Sequence, residues 1–223
     1  MTSRPAGHRL GPTSRCFRVE SEASTSQIHE PAPPAPTIDR CPWSGSDPLY
    51  VRYHDEEWGS PIHDEDRHFE FLLLETMQAG LSWRTILGKR ENFRAAFDGF
   101  DREKVAGYGE AKIEALLGDA GIIRNRAKIL GAVRNAKAFI ATAAEFGSFD
   151  AYIWSWTGGK PVVNRWETMA EIPTSSPLSD RVAADMKRRG FAYVGTTTIY
   201  AHLQAIGIIN DHLTSCFRWH ALQ

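Results

Sequence analysis

Apolar residues recur along the chain from residue 40 onward at the spacing of amphipathic helices. The clearest case begins after Asp64, ends at Gly80 and carries Phe69, Leu72 and Met77 on one face. Asp47-Pro48 pairs a capping residue with a proline at the first helical position, which predicts a helix from there to Gly59. Further helices are predicted over 82–97, 101–107, 109–117, 123–145 and 148–155, and after Ser179 and Gly195, ending at Gly190 and Gly207.

No segment shows the two-residue alternation of a half-buried strand, and 157–178 is predicted to be mostly loop. The fold class predicted from this pattern is all-α. Residues 1–39 differ, because they hold six of the twelve prolines and few apolar residues. We therefore predict a disordered leader over 1–39 and a single domain over 40–223.

Composition narrows the functional classes only slightly. The formal net charge of −1 excludes a globally basic surface, so any DNA contact must come from a local basic face or from backbone N–H groups. Three cysteines are too few for a disulfide framework. No apolar run is long enough for a membrane span and no secretory signal is visible. We expect a cytoplasmic protein with no membrane partner and, since no oligomerisation element is visible, a monomer.

Two cysteine–histidine pairs lie at opposite ends of the predicted domain. Twelve residues separate Cys41 from His54, and His212 precedes Cys216 by four positions. On a helix that second spacing would put both side chains on one face. Two thiolates and two imidazoles form a closed tetrahedral zinc set, although buried cysteines and unrelated histidines also fit the spacing. Cys16 lies in the leader and is treated as incidental.

The residues around these pairs resemble the 3-methyladenine DNA glycosylase I family. The similarity begins at Arg40-Cys41-Pro42-Trp43 and Tyr53-His54-Asp55-Glu56-Glu57-Trp58-Gly59 and continues with Glu75-Thr76-Met77-Gln78-Ala79-Gly80-Leu81-Ser82-Trp83. Glu171-Ile172-Pro173-Thr174-Ser175, Lys187-Arg188-Arg189-Gly190-Phe191 and Asn210-Asp211-His212 follow in the same order. It covers essentially all of 40–223.

The resemblance implies an enzyme that hydrolyses the N-glycosidic bond of 3-methyladenine in alkylated double-stranded DNA and leaves an abasic site. It implies one structural zinc ion on Cys41, His54, His212 and Cys216. Glu75 matches the pocket glutamate of the family, whereas a helix glutamate of this kind otherwise reaches solvent or an internal partner. The expected base-binding aromatics are Tyr53 and Trp83, with Trp43 and Trp58 as weaker candidates; core packing is their alternative role.

The segment between the last two long predicted helices resembles a helix–hairpin–helix, the DNA-binding element of the wider glycosylase superfamily. Glycines at its corners would let the backbone approach a phosphate, and the next helix offers its N-terminal N–H groups. The expected DNA contacts are Lys187, Arg188, Arg189, Gly190, Gly195, Thr196 and Thr197.

Two further residues depart from what the superfamily suggests. Many of its members carry a catalytic aspartate after the hairpin, but we assign no such role to Asp211, and we expect His202 on a helix surface. Two other functions fit the sequence: a zinc-stapled module that binds alkylated DNA without excision, and a zinc hydrolase with an open metal position.

Overall fold

The protein is described here over residues 38–223 of a computed structural model, and this part of the chain is mostly helical. The predicted leader, apart from residues 38 and 39, and Cys16 lie outside the described residues. Within 38–223 there are eleven α-helices: α1 (Pro48–Glu56), α2 (Glu65–Gln78), α3 (Trp83–Gly88), α4 (Arg90–Ala96), α5 (Arg102–Ala106), α6 (Glu110–Gly118), α7 (Arg126–Phe146), α8 (Phe149–Ser155), α9 (Pro177–Arg188), α10 (Thr196–Ala205) and α11 (Phe217–Ala221).

The predicted helix over 82–97 is wrong in one respect, because the chain breaks it at Lys89. This residue ends α3 and precedes α4 with φ −104° and ψ 4°, and its Nζ donates to the carbonyls of Ala120 and Gly121. A tertiary contact therefore holds a bend that hydrophobic periodicity does not show.

Short 3₁₀ turns and one small sheet complete the fold. The turns span Pro42–Ser44, Asp98–Phe100 and Met169–Glu171. Strands β1 (Val162–Val163) and β2 (Ile209–Asn210) pair in parallel, a small addition to the mostly helical fold that the all-α prediction did not include. Two residues are too few to show alternation, and the pairing joins the loop over 157–178 to the C-terminal end of the chain.

Helix α2 lies at the centre of the molecule. The Asp64 side chain caps α2 by accepting a hydrogen bond from the backbone N–H of Arg67. Two acidic residues in the first turn interact favourably with the positive end of the helix dipole. Every residue from His68 to Met77 is buried, so this helix is covered on all sides rather than on one face. A glutamate on such a helix must face either a partner or an internal cavity.

Helices α7 and α10 complete the frame around α2. The 21-residue helix α7 packs against α2, α5, α6 and α8, while α10 packs against α2 and α9. Lys128 of α7 is buried and its Nζ donates to the carbonyls of Met77 and Ala79, which fixes the end of α2. None of the helices between residues 38 and 223 combines the length and apolar composition needed to cross a bilayer.

Candidate active site and metal centre

The four predicted ligands meet in one buried cluster. One potential ligand atom from each of Cys41, His54, His212 and Cys216 lies within 4.8 Å of all the others, and all four residues are buried. The sulfur of Cys216 is 3.4 Å from Nε2 of His54 and 3.6 Å from Nδ1 of His212, and the sulfur of Cys41 is 3.5 Å from that same Nδ1.

The second nitrogen of each imidazole is held by a neighbour outside the cluster. Nδ1 of His54 lies 2.8 Å from the Asp55 carboxylate, which also accepts from Arg40. Nε2 of His212 is 3.0 Å from the backbone carbonyl of Trp58. Carboxylates and carbonyls in this position fix the tautomer of a metal-binding histidine, so that the opposite nitrogen is free to coordinate.

The backbone conformation that joins His212 to Cys216 differs from the predicted helix. His212 and Cys216 do not share a helix; they flank a turn in which the backbone N–H of Cys216 donates to the carbonyl of Leu213. Leu213 also pairs with Trp166, and its backbone N–H points at the sulfur of Cys41. Tertiary pairing of this turn therefore brings the two side chains together without helical spacing.

The thiol groups differ in acidity within the cluster. The hydrogen bond from Cys41 is the main cause that lowers the pKa of the Cys216 thiol, and contacts with His212 and His54 lower it further. Cys216 is therefore readily present as the thiolate, the form that binds metals.

A cavity of about 440 Å³ opens beside the metal-ligand cluster. Helix α1 contributes Tyr50 and Tyr53, and the neighbouring residue His54 points the other way into the cluster. The remaining walls come from six other segments and are formed by Trp43, Trp58, Glu75, Gln78, Trp83, Met169, Ile172, Pro173, Thr174, Thr197, Tyr200, Ala201 and Gln204. The cavity thus contains every residue predicted to bind or act on the base.

Glu75 is the one carboxylate in the lining of this cavity. It is 4% exposed, and Oε2 has no hydrogen-bond partner among residues 38–223. Burial raises its pKa to about 8, because the ionised form loses its hydration. The carboxyl group is therefore largely protonated near neutral pH, and a bound cation would favour the ionised form.

The aromatic side chains form a cage of nearly perpendicular and tilted rings. The ring centroids of Tyr53 and Trp83 lie 5.4 Å apart, and those of Trp43 and Trp58 lie 5.0 Å apart. Nε1 of Trp43 and of Trp83 are buried, and neither donates a hydrogen bond to any of the described residues. Aromatic rings, indole N–H groups without a partner and one carboxyl group together are suited to a planar, polar, aromatic ligand.

Sequence reasoning gave no role to several residues of this cavity. Tyr50, Gln78, Tyr200 and Gln204 line it, as does the loop containing Ile172-Pro173-Thr174. The Glu171–Ser175 motif belonged to the family resemblance, but nothing in the sequence shows that a distant loop covers the cavity. The segment before this loop is joined to the C-terminal part of the chain by the β1–β2 pairing and by the bridge between Trp166 and Leu213, and both are too short to predict.

The predicted DNA-contact residues surround the turn between α9 and α10. Gly190 has φ +95°, a conformation that favours glycine. The side chain of Asn135 in α7 both donates to the carbonyl of Ala192 and accepts from its N–H, at 3.1 and 2.7 Å. Thr197 is exposed and Thr196 bonds to the Ser179 hydroxyl. A clamp from α7 thus fixes the turn.

The three cations at this turn differ in their partners. Lys187 and Arg188 are exposed, although Arg188 also contacts Asp185 at 2.7 Å. Arg189 is held by Asp185 at 2.6 Å and Glu145 at 2.7 Å and is only 21% exposed. Its guanidinium is therefore already committed to intramolecular ion pairs.

Asp211 and His202 are both fully buried on this side of the molecule. Asp211 accepts four hydrogen bonds, which leaves no free lone pair in a position to activate water. The prediction that His202 lies on a helix surface is wrong, because α10 turns it toward α2. Both of its ring nitrogens lack hydrogen-bond partners within residues 38–223, and burial lowers its pKa to about 3.

The chain is similar to proteins of a known family. The model of the methyladenine glycosylase family matches residues 43–219. DNA-3-methyladenine glycosylase 1 of Escherichia coli (strain K12) is 46% identical over 179 residues, which cover 80% of this chain and 96% of that protein. DNA-3-methyladenine glycosylase of Haemophilus influenzae is 43% identical over 177 residues, covering 79% and 96%.

Solved structures agree with this assignment. A crystal structure of 3-methyladenine DNA glycosylase I superposes with a TM-score of 0.78 at 47% identity, covering 80% of this chain and 98% of the other. The Staphylococcus aureus glycosylase, solved to explain 3-methyladenine recognition, gives 0.78 at 34% identity over 81% and 96%. The chain therefore belongs to the methyladenine glycosylase family.

Proposed function

We propose that this protein is a monofunctional DNA-3-methyladenine glycosylase acting in base-excision repair. The observation that carries the proposal is the buried Glu75 carboxyl group, with an unpartnered Oε2 among residues 38–223, in a cage of aromatic rings. The relatives named for this activity match nearly their whole length to this chain.

The cavity is suited to a base that has left the DNA stack. A base inside a duplex is inaccessible, so the nucleotide must first rotate out into the pocket. In the lesion the methylated adenine carries a positive charge, which already weakens the bond from N9 to the sugar. Tyr53 and Trp83 would stack on its faces, while Glu75 would ionise beside the cation and accept a hydrogen bond from the amino group.

Bond cleavage then needs little acid catalysis. The N9–C1′ bond breaks with its electron pair going to the base, which leaves as a neutral purine. Water adds to C1′ and releases one proton to the solvent, which gives an abasic sugar. The ionised form of Glu75 would stabilise positive charge on base and sugar as the bond stretches. Water is kept from the base by the aromatic cage, which strengthens this interaction.

We infer that the Cys41, His54, His212 and Cys216 cluster holds one structural zinc ion. Zn–S bonds near 2.3 Å and Zn–N bonds near 2.05 Å imply a sulfur–nitrogen edge of about 3.6 Å in a tetrahedron. The sulfur–nitrogen separations of 3.4–3.6 Å fit that edge. Four protein ligands leave no position for a substrate water, so the ion would stabilise the fold and take no part in the reaction.

The turn between α9 and α10 is proposed as a helix–hairpin–helix contact with double-stranded DNA. The first N–H groups of α10 are not used by a side-chain cap, since Gly195 occupies the capping position. Such N–H groups bind phosphate. Lys187 and Arg188 are exposed beside the turn, whereas the ion pairs of Arg189 favour a role in holding the turn in shape.

The activity test is base release from methylated duplex DNA by the zinc-loaded protein under single-turnover conditions. The parent should release 3-methyladenine, and Glu75→Gln should release it about 10²-fold more slowly, because removing one charge-stabilising group typically costs that much. Glu91→Gln is the matched control, since Glu91 is 79% exposed and lies outside the cavity.

Three outcomes separate the hypotheses. Equal rates for the parent and Glu75→Gln would leave stacking as the source of catalysis and contradict the role of Glu75. A folded, zinc-loaded parent that releases no base but binds methylated duplex more tightly than unmethylated duplex would favour a module that recognises damage without excision. An X-ray absorption spectrum with fewer than four protein ligands would contradict the closed metal site.

A further inference from the structure

Asp211 is the centre of a buried hydrogen-bond network behind one wall of the base cavity. Its Oδ1 accepts from Asn164 Nδ2 and from Trp166 Nε1, both at 2.7 Å. Its Oδ2 accepts from the Tyr200 hydroxyl at 2.6 Å and from Gln204 Nε2 at 2.7 Å. Asp211 is fully buried and does not line the cavity, but Tyr200 and Gln204 do.

This network fixes the chemical direction of two wall residues. A carboxylate only accepts hydrogen bonds, so Gln204 must turn its amide nitrogen toward Asp211, and its carbonyl oxygen is the end left for a ligand. The Tyr200 hydroxyl proton is committed in the same way, and burial together with that bond raises the pKa of the phenol. Tyr200 and Gln204 therefore present acceptor atoms rather than donors.

We propose that Asp211 is a positioning residue that makes this wall an acceptor surface for a positively charged purine. The inference rests on the proposed function, because it takes a cationic methylated base as the ligand of the cavity. Acceptor atoms attract a cation and its N–H groups, whereas an amide N–H in the same place would repel them. Asp211 acts through Gln204 and Tyr200 and does not touch the base.

Asp211 also holds the opposite edge of the wall. Trp166, which donates to Oδ1, pairs with Leu213 and accepts at its carbonyl from the N–H of Thr214. The segment that follows Trp166 leads to Ile172 and its neighbours in the cavity lining. One carboxylate thus ties together α10, the loop over 157–178 and the turn that bears His212.

The Asp211→Asn substitution replaces one of the two acceptor oxygens at the centre of the network with an NH₂ donor. The indole N–H of Trp166 can only donate, so the remaining oxygen of the new amide should stay on that side. Its NH₂ group then faces Gln204, which turns over to accept and presents its own NH₂ to the cavity. We expect the affinity for free 3-methyladenine to fall about tenfold, the loss of roughly one hydrogen bond, while the affinity for unmethylated adenine changes less.

A double variant separates positioning from simple support of the fold. In Asp211→Asn/Gln204→Glu the introduced carboxylate accepts from the introduced amide and again turns an acceptor oxygen toward the cavity. We expect this pair to recover most of the lost affinity for 3-methyladenine. A residue that only supports the fold would give an additive second loss instead.

The experiment is titration of 3-methyladenine and adenine against zinc-loaded full-length protein, followed through the tryptophan fluorescence of the cavity. It is run at a mildly acidic pH at which free 3-methyladenine is protonated and carries the positive charge, while adenine is still neutral. Zinc content and Tm are recorded for each variant, because Asp211 is next to His212. Asn164→Ala is the matched control: it removes a donor to the same carboxylate on the side away from the cavity, and should leave the ratio of the two affinities unchanged.

The outcomes distinguish this inference from the proposed function. A folded parent that does not bind 3-methyladenine contradicts the proposed function itself. A parent that binds, together with an Asp211→Asn variant of unchanged affinity ratio or a double variant without recovery, overturns the role of Asp211. Should Asp211→Asn fail to fold, Gln204→Leu removes the acceptor directly, and an unchanged affinity ratio in that variant would overturn the inference equally.

Discussion

The metal-ligand cluster and the base cavity lie side by side and use their polar atoms in opposite ways. In the cluster, each imidazole has both nitrogens in contact with a partner, and both sulfurs lie against imidazole nitrogens. In the cavity, Glu75 Oε2 and the indole nitrogens of Trp43 and Trp83 have no partner within residues 38–223. Tyr53 and His54, adjacent on α1, face one region each.

This difference assigns separate tasks to the two regions. A buried polar group without a partner destabilises the folded state by about 1–3 kcal/mol. A cavity lined by several such groups therefore lowers the stability of the folded protein relative to a filled apolar core. The neighbouring cluster joins Cys41 near the start of the described chain to Cys216 near its end and holds the carbonyl of Trp58, a cavity residue. The cluster thus supports the walls of a cavity whose groups are kept for a ligand.

Breaking the cluster should have the largest effect. Cys216→Ser removes one thiolate, and we expect loss of the zinc ion and a fall in Tm of about 10 °C or more, because binding of a structural metal contributes directly to folding free energy. The measurements are metal analysis and thermal denaturation. Cys16→Ser is the matched control and should keep both the zinc and the Tm of the parent. A Cys216→Ser protein of unchanged Tm would show that the cluster has no stabilising role.

Replacing the ionisable carboxyl group of the cavity with a neutral amide should have a smaller effect on stability, and one that depends on pH. Burial holds the pKa of Glu75 near 8 in the folded protein, above the 4.5 of an exposed glutamate. The folded state therefore binds more protons, and stability falls as the pH rises from 4.5 through 8. Glu75→Gln cannot ionise, so we expect it to exceed the parent by roughly 2–4 kcal/mol at pH 9 and to differ little at pH 5.

Urea denaturation of both proteins at pH 5 and pH 9 checks this expectation. The exposed Glu91→Gln variant serves as the control and should show no such divergence between the two pH values. A Glu75→Gln protein that is less stable than the parent at pH 9 would mean that the ionised carboxylate is stabilised inside the fold. Gain of stability together with loss of base release would show that the cavity is built for its ligand rather than for folding.

The sequence predicted most of this contrast, but not all of it. Long helices such as α2 and α7 follow directly from hydrophobic periodicity and capping. The four candidate metal ligands were proposed from their spacing and supported by the family resemblance, which also indicated the cavity aromatics. Contacts between distant segments were missed: the β1–β2 pairing, the turn carrying His212, and the network of Asp211. Each depends on a few residues that lie far apart in the sequence, and a local pattern carries no signal for such contacts.

His202 is the clearest failure of prediction from local pattern, and it is one of several buried groups without a partner in the described part of the chain that lie outside the cavity. A histidine on an amphipathic helix is normally expected at the surface, yet this one is fully buried between α10 and α2. Its two ring nitrogens lack partners within residues 38–223, as the cavity groups do, but it does not line the cavity. If unpartnered buried groups are costly wherever they lie, this one can be removed without loss of function.

We therefore expect His202→Leu to be more stable than the parent by about 1 kcal/mol at pH 7, with unchanged base release. Burial lowers the pKa of His202 to about 3, below the 6.5 of an exposed histidine, so the unfolded chain binds more protons and stability falls as the pH drops from 6.5 toward 3. The variant lacks this term, and its advantage should grow by about 2 kcal/mol between pH 7 and pH 5. Urea denaturation at both pH values measures it, with the exposed His220→Gln as the control. An advantage that does not grow at low pH would mean that His202 has a partner for its proton, and would contradict the view that this buried histidine is unsatisfied.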